Sequence, residues 1–435
     1  MVDAREFARR RRHLMELVGA GGIVVLPAAP EHVRSRDTLF DYRQDSDLFY
    51  LTGFPEPETV AVLIPGRPQG EFFLFCRERD PEREMWDGKR AGPEGAVEHY
   101  ACDEAFPIGK LDEILPNLIE PCDRVYYPMG VAGEFDQRML GWLNALNARR
   151  HSAHAPSEIV SLDHLLHEMR LFKSRAEASV MRRSAQIAVK AHKRAMRVCR
   201  PGLNEYELEA EFLHEFKRSG ANCSYPPIVA GGANACILHY TENNAELLDG
   251  DLVLIDAGCE LELYASDITR TFPVNGRFTD AQRELYEIVH EANAAAKDAV
   301  QPGNHWDDPH SAAVRVVTLG LRSLGLLSGR LPSLLKEHAY REYFMHRTGH
   351  WLGMDVHDVG DYKVDDQWRL LEPGMALTIE PGIYVDSSAR GKARRWRGIG
   401  IRIEDDVLVT RQGPRVLTAG LPSSVDEVES FMAAA

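Results

Sequence analysis

Four acids and one histidine, Asp256, Asp267, His350, Glu380 and Glu404, stand in text that is otherwise markedly apolar. Val253, Leu254 and Ile255 run into Asp256, while Asp267, Thr269 and Thr271 share one face of a period-2 strand. The stretch LVLIDAGCELELYASDITRT from Leu252 to Thr271 therefore reads as two strands folded back on each other. A reversal near Leu261 and Glu262 sets Asp256 opposite Asp267, roughly 4.5–5.5 Å apart at Cβ. Like charges so placed destabilise a sheet. Either both aspartates face water on a solvated hairpin or a cation lies between them, and a carboxylate ending so apolar a run is seldom merely solvated.

Glu380 in MALTIEPGIY and Glu404 in GIGIRIEDDVLV repeat the pattern of an acid after a short apolar run, and His350 in HRTGHWLGMDVHDVG adds an imidazole. Such acids are unusual unless paired or coordinating. Four carboxylates carry about four negative charges, which two divalent cations cancel, whereas a proton-sharing dyad of two acids leaves the other two unexplained. The donor set is rich in oxygen with a single imidazole. It suits manganese, cobalt or iron better than a zinc site built on thiolate or several histidines, and no HExxH pair is present.

Three further histidines, His239, His346 and His357, are weighed against the structural or surface role most histidines have. Beside a dimetal centre, neutral imidazoles can hydrogen-bond a carbonyl, hold the peptide or move a proton. His346 and His350 are four apart, but Gly349 between them argues for a loop. Arg402 precedes Glu404 by two and shares its strand face, with Ile399, Ile401 and Ile403 on the other. It can clamp a carboxylate bidentately, either a ligand's or a substrate's; a surface strand arginine is the other reading.

These five residues, their order and their surroundings resemble the aminopeptidase P (Xaa-Pro aminopeptidase) branch of the pita-bread metallopeptidases. YRQDSDLFYLTGFPEPE, NACILHYTEN, EPGIYV and RGIGIRIEDDV carry the likeness over nearly the whole chain. The resemblance implies hydrolysis of the bond between an N-terminal residue and a following proline by a hydroxide bridging two divalent ions. Manganese is the expected metal, with cobalt, iron or zinc as alternatives. Asp267 and Glu404 would bridge the ions, Asp256 would bind one, and His350 with Glu380 the other. Glu380 is also nominated to pass a proton. The resemblance further implies catalytic roles for His239, His346, His357 and Arg402, with His357 steadying the tetrahedral intermediate, and substrate contacts for Asp37, Trp86, Tyr225 and Tyr384. The text departs from the commonest family pattern at Arg347, where glycine is frequent, and at Pro226-Pro227. An Xaa-Pro dipeptidase uses the same metal set, and a non-catalytic pita-bread binding module is the rival outside enzymes, although such modules lose ligands that this chain keeps. Creatinase-type chemistry is disfavoured by the same carboxylates.

The elements that must position these groups follow from pattern. Up to about residue 165, short strands (GIVVLP, TVAVLIP, EFFLFC) alternate with helical stretches such as Lys110 to Leu118 and Phe135 to Asn147. The expectation is an α+β or α/β chain of two domains. A smaller amino-terminal α/β domain spans residues 1–168, and a pita-bread catalytic domain with pseudo-twofold helix-helix-strand halves spans 169–435. A weak internal repeat supports the halves: residues 198–216 match 299–317, with Pro201 and Pro302 each followed by glycine 101 residues apart. In each copy a long helix stops before Pro-Gly and another starts after an acidic or Asn-containing cap.

Composition sets outer bounds. With 435 residues, 44% of them hydrophobic, the chain can bury a large core, and its net charge of −15 argues against nucleic acid or anionic membrane as a partner. No apolar run reaches the roughly 18 residues of a spanning helix. Seven cysteines without CxxC spacing point to reduced thiols and a cytoplasmic setting. Arg9 to Arg12 ahead of LVGAGGIVVLPAAP imitates a signal peptide, but Phe7, Leu14 and Leu17 at helical spacing favour a starting helix over Arg5 to Leu17. The implied partners are peptides beginning Xaa-Pro and further copies of the chain, as a dimer or tetramer.

Overall fold

The structure, a computed structural model, describes residues 2–149 and 154–434; positions 1, 150–153 and 435, which the expected domain spans include, lie outside the described residues. The chain divides into two compact units, one from Val2 to Met169 and one from Arg170 onward.

The amino-terminal unit opens with helix α1 (Ala4–Val18), whose first turn is capped by the Asp3 side chain accepting from the backbone N of Glu6. Within the arginine run, Arg10 and Arg11 are buried, and their Nη1 atoms donate to the carbonyls of Tyr50 and Leu51 at 3.0 and 2.8 Å. A six-stranded mixed sheet follows from β1 (Gly22–Pro27), β2 (Val60–Leu63), β3 (Phe72–Cys76), β4 (Glu104–Pro107), β5 (Arg124–Tyr127) and β6 (Glu158–Ser161), in the order β4-β3-β2-β1-β5-β6. Helices Leu111–Ile119 and Gly133–Ala148 cover it, and Ile23, Val25, Phe73, Leu115 and Met139 make the core between. Asp37 is exposed beside a two-strand ribbon, and Trp86 is 83% exposed on the short helix Pro81–Asp87.

The second unit is built twice over. Helices α2 (Arg175–Val198) and α3 (Glu205–Arg218) form the first pair, α4 (Asp280–Asp298) and α5 (Asp308–Ser323) the second. Capping boxes at Ser174/Glu177, Asn204/Glu207 and Thr279/Gln282 start three of them. The Pro-Gly turns between the paired helices are held alike. Gly202 N donates to Leu247 O at 2.9 Å and Leu247 N returns to Leu203 O at 2.7 Å; Gly303 N donates to Leu371 O at 2.8 Å and Leu371 N returns to Asn304 O at 2.7 Å. The weak repeat in the sequence is thus a repeated backbone motif. Each helix pair leads into an antiparallel three-stranded sheet. The first runs β7-β8-β9 from Ile228–Gly231, Leu252–Asp256 and Thr269–Pro273. The second opens with β10 (Ala376–Ile379); a two-stranded ribbon of β11 (Gly382–Val385) with β12 (Ile399–Arg402) follows in sequence, and β13 (Asp405–Thr410) and β14 (Gly413–Val416) complete the sheet, ordered β10-β13-β14.

The hairpin carrying both aspartates departs from expectation in register. Its tip is Glu262-Leu263, both at positive φ (52° and 62°), one residue beyond the expected reversal, and this shifts the pairing by two. Asp256 faces Thr269, and Asp267 lies two pairs nearer the tip, level with Gly258. A turn with two left-handed residues is normally announced by Asn-Gly or Asp-Gly, and neither Glu nor Leu gives that signal. Gly258 is obligatory there, because a Cβ on it would fall 1.7 Å from the carbonyl oxygen of Ser266.

Candidate metal centre

Strand ends bring the acids together. Asp256 ends β8, Asp267 precedes β9, Glu380 follows β10, and Glu404 sits between β12 and β13; His350 comes from a loop pressed on β10. That loop requires Gly349, where a Cβ would lie 2.0 Å from the carbonyl oxygen of Thr378. His346 and His350 therefore share a loop, not a helix face.

Asp267, His350 and Glu404 each offer one ligand atom, and these atoms all lie within 4.8 Å of one another. His350 Nε2 is 3.3 Å from Asp267 Oδ2 and 3.7 Å from Glu380 Oε1. Its Nδ1 is 2.9 Å from the Trp351 carbonyl, which can only accept, so Nδ1 carries the proton and Nε2 points its lone pair at the acids when the ring is neutral. The Tyr225 hydroxyl lies 2.6 Å from Asp256 Oδ1 and 2.5 Å from Asp267 Oδ1. A phenol has one proton, so it satisfies only one of them. Arg402 meets a ligand-type carboxylate through one N–H and not bidentately as expected: Nη2 donates to Asp256 Oδ2 at 2.6 Å, while Nε and Nη1 are taken by Thr269 Oγ1 and the Tyr384 oxygen, each at 3.0 Å.

The electrostatics describe a site short of positive charge. Burial, reinforced by Asp267, Glu380 and Asp256, holds Glu404 well above the carboxylate range. Glu380 is pushed up to about 7, by burial first and then by Asp267 and Asp256 against the pull of His350 and Arg402. Asp256 is raised by burial despite Arg402. Asp267 alone is lowered, because the hydrogen bond and charge of His350 outweigh burial. His350 rises to about 9, burial being overcome by the Asp267 hydrogen bond and by Glu380. Were all four acids ionised, Arg402 and a protonated His350 would offset only two of their charges, and the metal-free site answers by holding protons on its carboxyls. The oxygen-rich donor set and its charge deficit fit divalent cations.

His346 is neutral, held down to about 3 by burial and the nearby Arg402. Its Nδ1 donates to the Arg347 carbonyl at 2.7 Å, so Nε2 accepts from the Tyr384 hydroxyl at 2.9 Å. Tyr384 is buried within this relay, whereas His239 and His357 are exposed and line the cleft over the acids. Two contributors escaped the sequence reading. Asp406, buried, accepts from the backbone N of Asp267 at 3.2 Å, and Thr269 Oγ1 donates to Glu404 Oε2 at 2.6 Å. Asp406 had a signal, being a third acid opening the apolar run DDVLV.

Residues 179–411 match metallopeptidase family M24, and residues 7–126 match the N-terminal domain of aminopeptidase P. Xaa-Pro aminopeptidase of Escherichia coli is 46% identical over 100% of this chain and 99% of its own. Xaa-Pro aminopeptidase 3 of Rattus norvegicus is 37% identical over 98% and 85%. Among solved structures, Pseudomonas aeruginosa aminopeptidase PepP superposes with a TM-score of 0.98 at 57% identity, covering 100% of this chain and 99% of that one. E. coli aminopeptidase P, solved zinc-substituted with product, superposes at 0.97 with 46% identity, over 100% and 99%. The chain belongs to metallopeptidase family M24 and carries the amino-terminal domain of aminopeptidase P.

Proposed function

We propose that this chain is a metallo-aminopeptidase that releases the N-terminal residue from peptides with proline second. Asp256, Asp267, His350, Glu380 and Glu404 would hold two divalent ions, with manganese favoured by the oxygen-rich set and cobalt, iron or zinc as alternatives. One observation carries the reading: ligand atoms of three separate segments, Asp267, His350 and Glu404, converge within 4.8 Å in a buried site that lacks the positive charge to balance them. E. coli aminopeptidase P has been solved in complex with substrate and with the inhibitor Pro-Leu, which supports a peptide as the occupant. Ions bound there would supply acidified water, a polarised scissile carbonyl and an anchor for the free amine.

The chain's own residues do the rest. Arg402 fixes Asp256, and Thr269 fixes Glu404. Glu380, beside the water that the ions would hold, can take a proton and return it to the leaving proline nitrogen. His357, which lines the cleft over the acids, would donate an N–H to the oxygen that gains charge. His239 steadies the peptide, and Arg402, Tyr384 and His346 form a relay of fixed hydrogen bonds beside it.

All seven cysteines are free, consistent with a cytoplasmic enzyme, and among the described residues no helix is long and apolar enough to cross a membrane. A dimer or tetramer is the expected assembly. The decisive experiment is a panel of Xaa-Pro-Yaa, Xaa-Ala-Yaa and Xaa-Pro peptides with and without manganese. Metal-dependent release of Xaa from the first set alone is expected; cleavage confined to the dipeptide would replace this reading with a prolidase.

A further inference from the structure

The cleft over the acid cluster has a volume of about 640 Å³ and contains a cation for which the reaction has no use. Arg347 lines it with Leu238, Trp306 and Trp368, one residue beyond His346. Its side chain is 46% exposed yet held in place. Nη2 donates to Asp307 Oδ1 at 2.5 Å, and the guanidinium lies 5.0 Å from the centre of the Trp368 ring. Asp307 is itself steadied by the Ser311 hydroxyl, which donates to Oδ2 at 3.2 Å. Lys363 Nζ approaches the same tryptophan ring at 4.6 Å. Nε and Nη1 of Arg347 make no hydrogen bond within the described chain.

We propose that Arg347 is a specificity-determining residue that receives a carboxylate borne by the residue after the proline. The assignment rests on the aminopeptidase reading. In that reading the free amine and the scissile bond lie at the acid cluster, so the peptide leaves past its proline along the cleft. The ions proposed above would anchor the free amine at the acid cluster, and a guanidinium elsewhere on the wall attracts an anion. The two ends of a short peptide would then fix its direction. The first anion the departing chain can offer is a carboxylate on its third residue, the α-carboxylate of a tripeptide or an acidic side chain. A guanidinium already ordered by an ion pair and a ring face loses little freedom on taking it, and its free N–H groups match carboxylate geometry. Local charge is compatible: Arg347 and Lys363 outnumber Asp307, while Asp365 and Asp366 occupy the tip of the Lys363–Val364 and Gln367–Trp368 hairpin.

The test compares Ala-Pro-Gly, its C-terminal amide, Ala-Pro-Glu-amide and Ala-Pro-Lys-amide, all with manganese, on the wild-type chain, Arg347→Gln and Arg347→Lys. The readout is the ratio of kcat/KM for a carboxylate-bearing peptide to that for the uncharged amide within each protein, which a general loss of activity does not disturb. For wild type a ratio of about ten, residing in KM, is expected from one charged hydrogen-bonded pair. Arg347→Gln should bring it to about one, and Arg347→Lys should retain part of it. Whichever of Ala-Pro-Gly and Ala-Pro-Glu-amide shows the larger ratio identifies the source of the carboxylate. A wild-type ratio near one, a preference for the lysine peptide, or an unchanged ratio in Arg347→Gln overturns the assignment. Should Arg347→Gln fail to fold, a wild-type ratio in Arg347→Lys that does not fall with rising salt overturns it equally. Failure of wild type to cleave any of the four would instead sink the aminopeptidase reading.

Discussion

Thr269 and Glu404 join the two halves of the catalytic unit twice, the threonine hydroxyl donating to Oε2 at 2.6 Å and the Glu404 backbone N donating to the Thr269 carbonyl at 3.0 Å. The same hydroxyl accepts from Arg402 Nε. Thr269→Val keeps the shape and the backbone bond and removes the two bonds of the hydroxyl. Groups that orient metal-binding carboxylates typically affect affinity by about 10–100-fold. A manganese titration of Thr269→Val should show a loss in that range, with circular dichroism unchanged.

Asp267 and Glu404 are the carboxylates assigned to both ions. Asp267→Ala and Glu404→Ala should each abolish turnover and lower the bound metal per chain, measured by elemental analysis after desalting. Either variant retaining full activity would remove the proposed centre.

The metal-free site should be sensitive to alkali. A carboxyl raised from 4.5 to about 7, as at Glu380, costs the fold stability progressively as pH rises between those values. A histidine raised from 6.5 to about 9, as at His350, contributes stability at low pH that is lost as pH rises through the upper value. Both effects weaken the metal-free fold toward high pH. An ion replaces the protons, so its binding releases them and strengthens with pH. The gain in Tm on adding manganese should be larger at about pH 8.5 than at about pH 6. Equal gains would mean the acids are not held protonated.

Asp358, the neighbour of His357, is the buried acceptor for Arg170 Nη2 at 2.6 Å and Lys173 Nζ at 2.9 Å. Its removal takes from the buried Lys173 its only ion-pair carboxylate among the described residues, and one from Arg170, which keeps Asp355 at 2.7 Å. Asp358→Ala should cost about 3–5 kcal/mol in chemical denaturation of the catalytic unit. Activity should fall with it, because the loop holding His357 is pinned by the same carboxylate.

Three of the five ligand candidates, Asp256, Glu380 and Glu404, were legible because an acid at the end of an apolar strand is anomalous, whereas Asp267 was read from the hairpin and His350 as an imidazole added to them. The halves were legible through Pro201-Gly202 and Pro302-Gly303, since only glycine takes the left-handed turn at φ of 86° and 89° without strain. The hairpin register was not, because its tip uses residues without turn character. The partner of Arg402 was equally hidden: strand alternation assigns a face but cannot choose between Asp256 and a substrate. Tyr225 showed no sign of its place between two carboxylates, because the contact depends on how β7 and the hairpin meet. Asp37 and Trp86 are exposed in the amino-terminal unit, and their assignment to substrate remains a proposal.

The tip at Glu262 and Leu263 holds two side-chain-bearing residues in a conformation that L-amino acids avoid at a cost of about 1–2 kcal/mol apiece. Evolution has left slack in the protein's heat tolerance at a turn that contains none of the proposed ligands. An engineer wanting a hardier catalyst could begin by writing Asn-Gly there, leaving every group that handles the peptide untouched.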